Sequence, residues 1–201
     1  MVTEDKFSFR IKINFASTSP PSNDPLFTPL KLTKRIILSK LAGVFDPIGA
    51  GAAVLVKSKI AMQELWQLGL SWDEDVPSET RKKWVKLFEE INALNVVKFD
   101  RCLTPAHAAG DPMLVVFCDA SRLAFGTCAY ARWQLQDGKF NTRFIAAKSR
   151  VAPLKELTIP RLELQAAVLA SRLGKSILEE SRLKFERVRY LSDSRVALAW
   201  I

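Results

Sequence analysis

The order of apolar segments between residues 114 and 193 is the feature that most constrains how this chain folds. Residues 114–119 (LVVFCD), 125–134 (FGTCAYARWQ) and 142–150 (TRFIAAKSR) have the β-branched and aromatic composition of strands. The QDG sequence at 136–138 is typical of a hairpin turn. Three consecutive antiparallel strands are therefore predicted.

A helix and a further strand follow these three strands. The TIP sequence at 158–160 is typical of a helix start, and residues 160–174 carry apolar side chains at helical spacing. Residues 187–193 (RVRYLSD) predict a short strand. These segments would form a crossover unit in which the strand ending at Asp119 and the strand ending at Asp193 are parallel, joined by a right-handed connection.

Three carboxylates would gather at one end of this unit. Asp119 and Asp193 would emerge at the same sheet edge, and Glu163 would reach them from the helix, whose small residues allow close packing on the sheet. Each also has an ordinary structural explanation, since Asp before Ala-Ser starts turns and first-turn glutamates are commonly solvated.

Like charges held that close repel one another unless cations bind between them. Oxygen ligands favour Mg²⁺ or Mn²⁺, and two such ions about 3.5 to 4 Å apart promote phosphodiester cleavage by activating water and stabilising the leaving oxygen. Together, the three positions favour a metal-dependent site over three unrelated surface carboxylates.

Composition narrows the classes of function. The hydrophobic content of 48% predicts a globular chain, and the net charge of +9 fits a polyanionic partner. Cys102, Cys118 and Cys128 contain no CxxC pair, and they are expected to be reduced. His107 is the one histidine and lies in a polar loop. The sequence therefore does not offer the residues that a zinc site or a Cys-His nucleophile requires.

Targeting and membrane signals are weak in this sequence. The longest apolar run, at 48–56, is too short for a membrane span, and the N-terminus lacks the apolar core of a signal peptide. A soluble intracellular protein without membrane partners is expected, in the cytoplasm or the nucleus.

The N-terminal half has a different organisation. Residues 7–15 (FSFRIKINF) alternate as in an amphipathic strand, and residues 16–30 contain four prolines typical of a linker. Helices are predicted from Thr33, over about 51–69 and over 79–94. The predicted regions are 1–30, strand and linker; 31–110, mainly helical; and 111–201, the domain carrying the three carboxylates.

Several of these motifs resemble a known family. DAS at 119–121, an apolar strand with Gly126, RLELQAA at 161–167 and LSDS at 191–194 resemble the type 1 ribonuclease H domain of reverse transcriptases. Residues 33–49 and 57–77 are similar to the segment that joins reverse transcriptase to RNase H in Pol polyproteins of Pao/BEL retrotransposons, some of which are described as Pao retrotransposon peptidases.

The resemblance implies a fold and a function. The fold is α/β, with an RNase H-like mixed sheet and flanking helices, truncated at its C-terminus and preceded by a mainly helical connection segment. Asp119, Glu163 and Asp193 would bind two Mg²⁺ or Mn²⁺ ions and cleave the RNA strand of an RNA:DNA hybrid. The other expected partner is the rest of the Pol polyprotein. Predicted nucleic-acid contacts are Ser121, Arg122, Lys148, Arg150, Lys155, Arg161 and Ser194.

Two alternatives to an active nuclease follow from the same residues. RNase H enzymes supply a fourth acidic ligand from a later helix, and this sequence ends at Ile201 before such a helix. The chain alone is therefore expected to cleave feebly if at all, and an inactive remnant that binds nucleic acid or nothing is the rival hypothesis. An aspartic peptidase is disfavoured, because neither Asp119 nor Asp193 starts an Asp-Thr/Ser-Gly turn.

Overall fold

A computed structural model describes residues 5–13 and 31–200 of the chain, and these residues form two compact units. One unit contains residues 5–7, 46–56 and 98–200, and the other contains residues 8–13, 31–45 and 57–97. The sheet-containing unit thus includes the 46–56 segment from within the helical region. The boundaries predicted at residues 30 and 110 stay predictions, and the linker at 16–30 lies outside the described residues.

The helices and strands are numbered here in chain order. They are β1 (Lys6–Ser8), α1 (Lys34–Ala42), α2 (Ala52–Gln67), α3 (Ser78–Asn92), β2 (Lys98–Asp100), β3 (Met113–Ala120), β4 (Ala124–Gln134), β5 (Phe140–Val151), α4 (Ile159–Glu180), β6 (Arg187–Leu191) and α5 (Arg195–Trp200). No helix within the described residues is both long enough and apolar enough to cross a membrane.

The main sheet has the predicted topology. Its strand order is β5-β4-β3-β6, with β3–β4 and β4–β5 antiparallel and β3–β6 parallel. Phe117 pairs with Leu191 in the parallel register, so Asp119 and Asp193 each lie two residues beyond the same paired position. The α/β fold with a mixed sheet and flanking helices is therefore confirmed.

Helix α4 packs on one face of this sheet through small and apolar side chains. Leu162, Ala166 and Ala170 are each at most 1% exposed and pack with Leu114 and Val116 of β3. Farther along the helix, a Cβ added to Gly174 would overlap the hydroxyl of Tyr190 on β6. The predicted stripe of small residues thus allows α4 to approach the sheet closely.

Over its described residues, 5–13, the amphipathic N-terminal segment forms a shorter strand than the sequence predicts, and the predicted residues 14 and 15 lie outside the described part. β1 covers only Lys6–Ser8 and pairs with β2. Ile11 and Ile13 are buried, but their backbone groups bond the side-chain amides of Asn95 and Asn92 instead of another strand. The alternating pattern predicts the burial of Ile11 and Ile13, but Phe7 on the same predicted face is exposed, and the pattern does not identify the partner of the backbone.

The helical unit follows the predicted capping and periodicity. Thr33 caps α1 by accepting the Ile36 N–H at 3.3 Å, and Gly43 ends that helix. Helix α3 buries Trp84 and Phe88, whose rings are 5.7 Å apart between centroids. The predicted bounds of α2 and α3 agree with the structure to within two residues.

A tight turn at residues 46–51 attaches to the outer edge of β5. The Asp46 carboxylate accepts the N–H groups of Ala50 and Gly51 at 2.8 and 2.9 Å, and the Ile48 carbonyl accepts the Ala147 N–H at 2.8 Å. Gly49 has a φ of 73° within this turn. The turn thereby shields part of an edge strand that would otherwise be unpaired.

We expect Gly49→Ala to destabilise the sheet unit by about 2 to 4 kcal/mol, because it combines left-handed strain with overpacking. The added Cβ would overlap the backbone carbonyl of Ala147. Gly138→Ala is the matched control, since Gly138 also has a positive φ of 81° but nothing lies within 4 Å of its added Cβ. The control should cost about 1 to 2 kcal/mol in urea unfolding. Equal losses in the two variants would contradict this account of the turn.

Candidate active site

Asp119 is the next-to-last residue of β3 and is exposed. Alternation along β3 directs Leu114, Val116 and Cys118 into the core with α4, so Asp119 projects from the opposite face. Its Oδ1 accepts the Ala120 N–H at 2.7 Å. Its Oδ2 has no hydrogen-bond partner among the residues described. This bond to the N–H of the next residue leaves one carboxylate oxygen available to a ligand.

The β3–β4 turn is built by Ser121. Its hydroxyl oxygen accepts the N–H groups of Leu123 and Ala124 at 3.3 and 3.2 Å, and its own N–H donates to the Ala124 carbonyl at 2.8 Å. Opposite Asp119 in the ladder lies Gly126, where an added Cβ would be 3.2 Å from the Lys148 carbonyl oxygen. Gly126 therefore permits close strand packing beside Asp119.

Asp193 follows β6 and is exposed at the same end of the sheet. Asp119 and Asp193 both line a cavity of about 650 Å³. Its wall also contains Phe117, Gly126 and, from the first turns of α2, Ala52. The structure thus brings the two aspartates, predicted from separate strands, to one opening.

Glu163 lies near the start of α4 and is half-buried. Its Oε2 accepts a hydrogen bond from the Ser194 hydroxyl at 2.5 Å. Ser194 directly follows Asp193 and is only 5% exposed. Glu163 is therefore attached to the segment that carries Asp193, although it is not among the residues that line the cavity.

The donor chemistry of these carboxylates fits a hard divalent cation. All three offer oxygen ligands. Despite the net charge of +9, none of them forms an ion pair with any residue the structure describes. However, over residues 5–13 and 31–200 no group of three or more His, Cys, Asp or Glu side chains has the spacing of a metal site. The residue types fit such an ion, but their side chains are not arranged as a formed site.

The predicted nucleic-acid contacts divide into two groups. Six are exposed around this end of the sheet, in the turn after β3, the last part of β5, the loop that follows it and the first turn of α4; they are Ser121, Arg122, Lys148, Arg150, Lys155 and Arg161. The five basic ones form no ion pair within the described part of the chain. Ser194 is instead buried and bonded to Glu163.

Sequence reasoning missed the aromatic face beside Asp119. Phe117 is 44% exposed and lies 6.0 Å from Tyr130, measured between ring centroids. Tyr130 in turn lies 5.6 Å from Phe144. Period-2 alternation assigns these rings to one sheet face, but the degree to which Phe117 is exposed there is a tertiary property.

The cysteines should differ in reactivity because the thiolate is the reactive form. Burial raises the pKa of the Cys118 thiol, and it also raises the pKa of Cys128, whereas Cys102 is exposed. At pH 8, iodoacetamide should therefore alkylate Cys102 first and Cys118 slowest, as measured by mass spectrometry of peptides. In denaturant the three rates should converge. Equal rates in the folded chain would contradict the burial of Cys118.

Comparisons with known proteins were made for sequence and for structure. None of the curated proteins matches the chain. The solved foamy viral protease-reverse transcriptase in complex with dsDNA aligns with 82% of this chain and 34% of its own length, at 17% identity and a TM-score of 0.38. The chain thus spans about a third of that protein.

The family comparison agrees with the resemblance found in the sequence motifs. The model of the Pao retrotransposon-like RNaseH-like domain matches residues 33–194, which include both the helical region and the sheet. The match also includes Asp119, Glu163 and Asp193. The chain therefore belongs to the family of Pao retrotransposon-like RNaseH-like domains.

Proposed function

We propose that this chain acts in a retrotransposon polymerase polyprotein by cleaving the RNA strand of RNA:DNA hybrids. The observation that carries the proposal is the convergence of Asp119 and Asp193 on one cavity, from the ends of neighbouring parallel segments. Family membership supports the same class of site. The remainder of the polyprotein would be its covalent partner, inside the cell.

Asp119, Glu163 and Asp193 would hold Mg²⁺ or Mn²⁺ through carboxylate oxygens. Two such ions, when bound, activate a water and stabilise the leaving oxygen of the phosphodiester. The chain's own contribution is to fix the aspartates on a rigid sheet, where the Ala120 N–H orients Asp119. The exposed basic residues around the sheet end would bind the hybrid backbone.

The test uses a hybrid labelled on its RNA strand. Carried within its polyprotein, the chain is expected to cut the RNA in Mg²⁺ or Mn²⁺ and to leave it intact with EDTA, while matched RNA and DNA duplexes are not cut; the 201-residue chain alone is expected to cut feebly. A metal-loaded, folded polyprotein that binds hybrid but leaves it intact would contradict the nuclease proposal.

A second candidate function is nucleic-acid binding without cleavage. The five exposed basic residues around the sheet end favour it. Here the basic surface would be retained while the carboxylates hold no ion. Hybrid binding that is unchanged by chelator, with no Mn²⁺ binding, would support this candidate against the nuclease.

The salt dependence of hybrid binding tests the basic surface, which consists of Arg122, Lys148, Arg150, Lys155 and Arg161. If all five contact phosphates, log K should fall with log salt at a slope of about −4. Arg161→Gln should reduce that slope by about 1. Lys139→Gln is the control, because Lys139 lies in the β4–β5 turn and pairs with Asp137 at 3.0 Å. A flat salt dependence would contradict phosphate contact.

A further inference from the structure

A partly buried hydrogen bond connects two elements at the candidate active site. The Ser194 hydroxyl donates to Glu163 Oε2 at 2.5 Å, linking the segment after β6 to helix α4. Ser194 is 5% exposed and Glu163 is half-buried, so the bond is partly shielded from water. The residue is therefore enclosed beside Asp193 instead of facing a ligand.

The hydroxyl of Ser194 makes two hydrogen bonds, accepting in one and donating in the other. Its oxygen accepts the Ala197 N–H at 3.0 Å, which caps the first turn of α5. Its single proton is thereby directed to Glu163. A hydroxyl bonded to a carboxylate forms a charge-assisted hydrogen bond, which is short and about twice as strong as a neutral one. The separation of 2.5 Å fits such a bond.

We infer that Ser194 is a positioning residue that holds the Glu163 carboxylate against the segment that carries Asp193. This inference rests on the proposed nuclease function. A glutamate has several rotatable bonds, and an unrestrained one near the start of α4 would turn toward solvent. The bond to Oε2 restricts Glu163 while Oε1 keeps no partner among the residues described, so one oxygen stays available to a cation.

Ser194 therefore acts through Glu163 and not by touching nucleic acid. Partners that orient a metal ligand typically change metal affinity by about 10- to 100-fold when they are removed. The same bond is expected to be present before any metal binds. Its loss should consequently be visible in the metal-free chain.

The experiment compares three variants with the unmodified chain. Ser194→Gly removes the hydroxyl but keeps a residue that helix N-caps tolerate. Ser194→Thr keeps the hydroxyl and its proton. Ser181→Ala is the matched control, since Ser181 makes an analogous bond from the Leu183 N–H at 3.0 Å, in the loop after α4. Far-UV circular dichroism confirms that each variant is folded.

Two readouts are needed. The first is the ¹³Cδ NMR signal of Glu163 without metal, which should move in Ser194→Gly but stay near its original position in Ser194→Thr and Ser181→Ala. The second is Mn²⁺ affinity by electron paramagnetic resonance, which should fall about 10- to 100-fold in Ser194→Gly only.

These readouts separate the role of Ser194 from the nuclease function. An unchanged Glu163 signal in folded Ser194→Gly would overturn the positioning role, as would unchanged Mn²⁺ affinity. If the unmodified chain binds no Mn²⁺, the proposed function fails, and with it the role of Ser194 in metal binding. The NMR signal then still decides whether Ser194 holds Glu163.

Discussion

Within the polyprotein, Asp119→Asn is expected to abolish metal-dependent cleavage of the RNA strand in a hybrid, lowering the rate by about 100-fold. The amide has nearly the same shape as the carboxylate, and its oxygen can still accept the Ala120 N–H, so the end of β3 should keep its structure. What is lost is the negative charge at the cavity shared with Asp193. A large effect on activity without a change in folding is therefore expected.

Asp137→Asn provides the matched control for this experiment. Asp137 also accepts a backbone N–H, from Lys139 at 3.0 Å, but it lies in the β4–β5 turn away from the cavity. Cleavage rates and Mn²⁺ affinity should be measured for both variants under the same conditions. If Asp119→Asn cleaves as fast as the control, Asp119 has no part in catalysis and the site is wrongly assigned.

Leu162→Ala should produce the largest loss of stability among the substitutions considered, about 2 to 5 kcal/mol. Leu162 is 1% exposed and lies in the core between α4 and the sheet, directly before Glu163. Removing its side chain leaves a cavity in tightly packed surroundings, where the small residues of α4 cannot move inward to fill it. The expected measurement is a lower urea midpoint for the sheet unit.

Val168→Ala on the same helix is the control for that loss. Val168 is 40% exposed, so its truncation should change stability by no more than about 0.5 kcal/mol. Both variants shorten one apolar side chain on α4, and they differ mainly in burial. Similar midpoints would show that α4 is not packed on the sheet as described.

The choice between nuclease and binding remnant depends on how the carboxylates respond to a cation. Asp119 and Asp193 already share a cavity, whereas Glu163 is engaged by Ser194. An active site requires Glu163 to offer its remaining oxygen without losing that bond. Mn²⁺ binding to the unmodified chain, followed by hybrid cleavage, would favour the nuclease directly.

Much of the sheet domain was predictable from local sequence. Period-2 alternation and the QDG turn identify β3, β4 and β5, and the TIP sequence marks the start of α4. A helical crossover leading to β6 then favours a parallel pairing of β3 and β6, which the structure has, so Asp119 and Asp193 share one sheet end. These inferences succeed because strand and helix periodicities depend on neighbouring residues, and because chain connectivity permits few topologies.

Only the tertiary structure decided which distant residues provide the hydrogen-bond partners of these backbone and side-chain groups. Alternation predicts that Ile11 and Ile13 are buried, but their backbone partners are Asn95 and Asn92, more than 75 residues away. The sequence likewise predicts that Ser194 contacts nucleic acid, whereas in the structure Ser194 is buried and its hydroxyl is bonded to Glu163. Polar side chains carry no periodic signal for a distant partner, and only the folded chain determines which donor meets which acceptor.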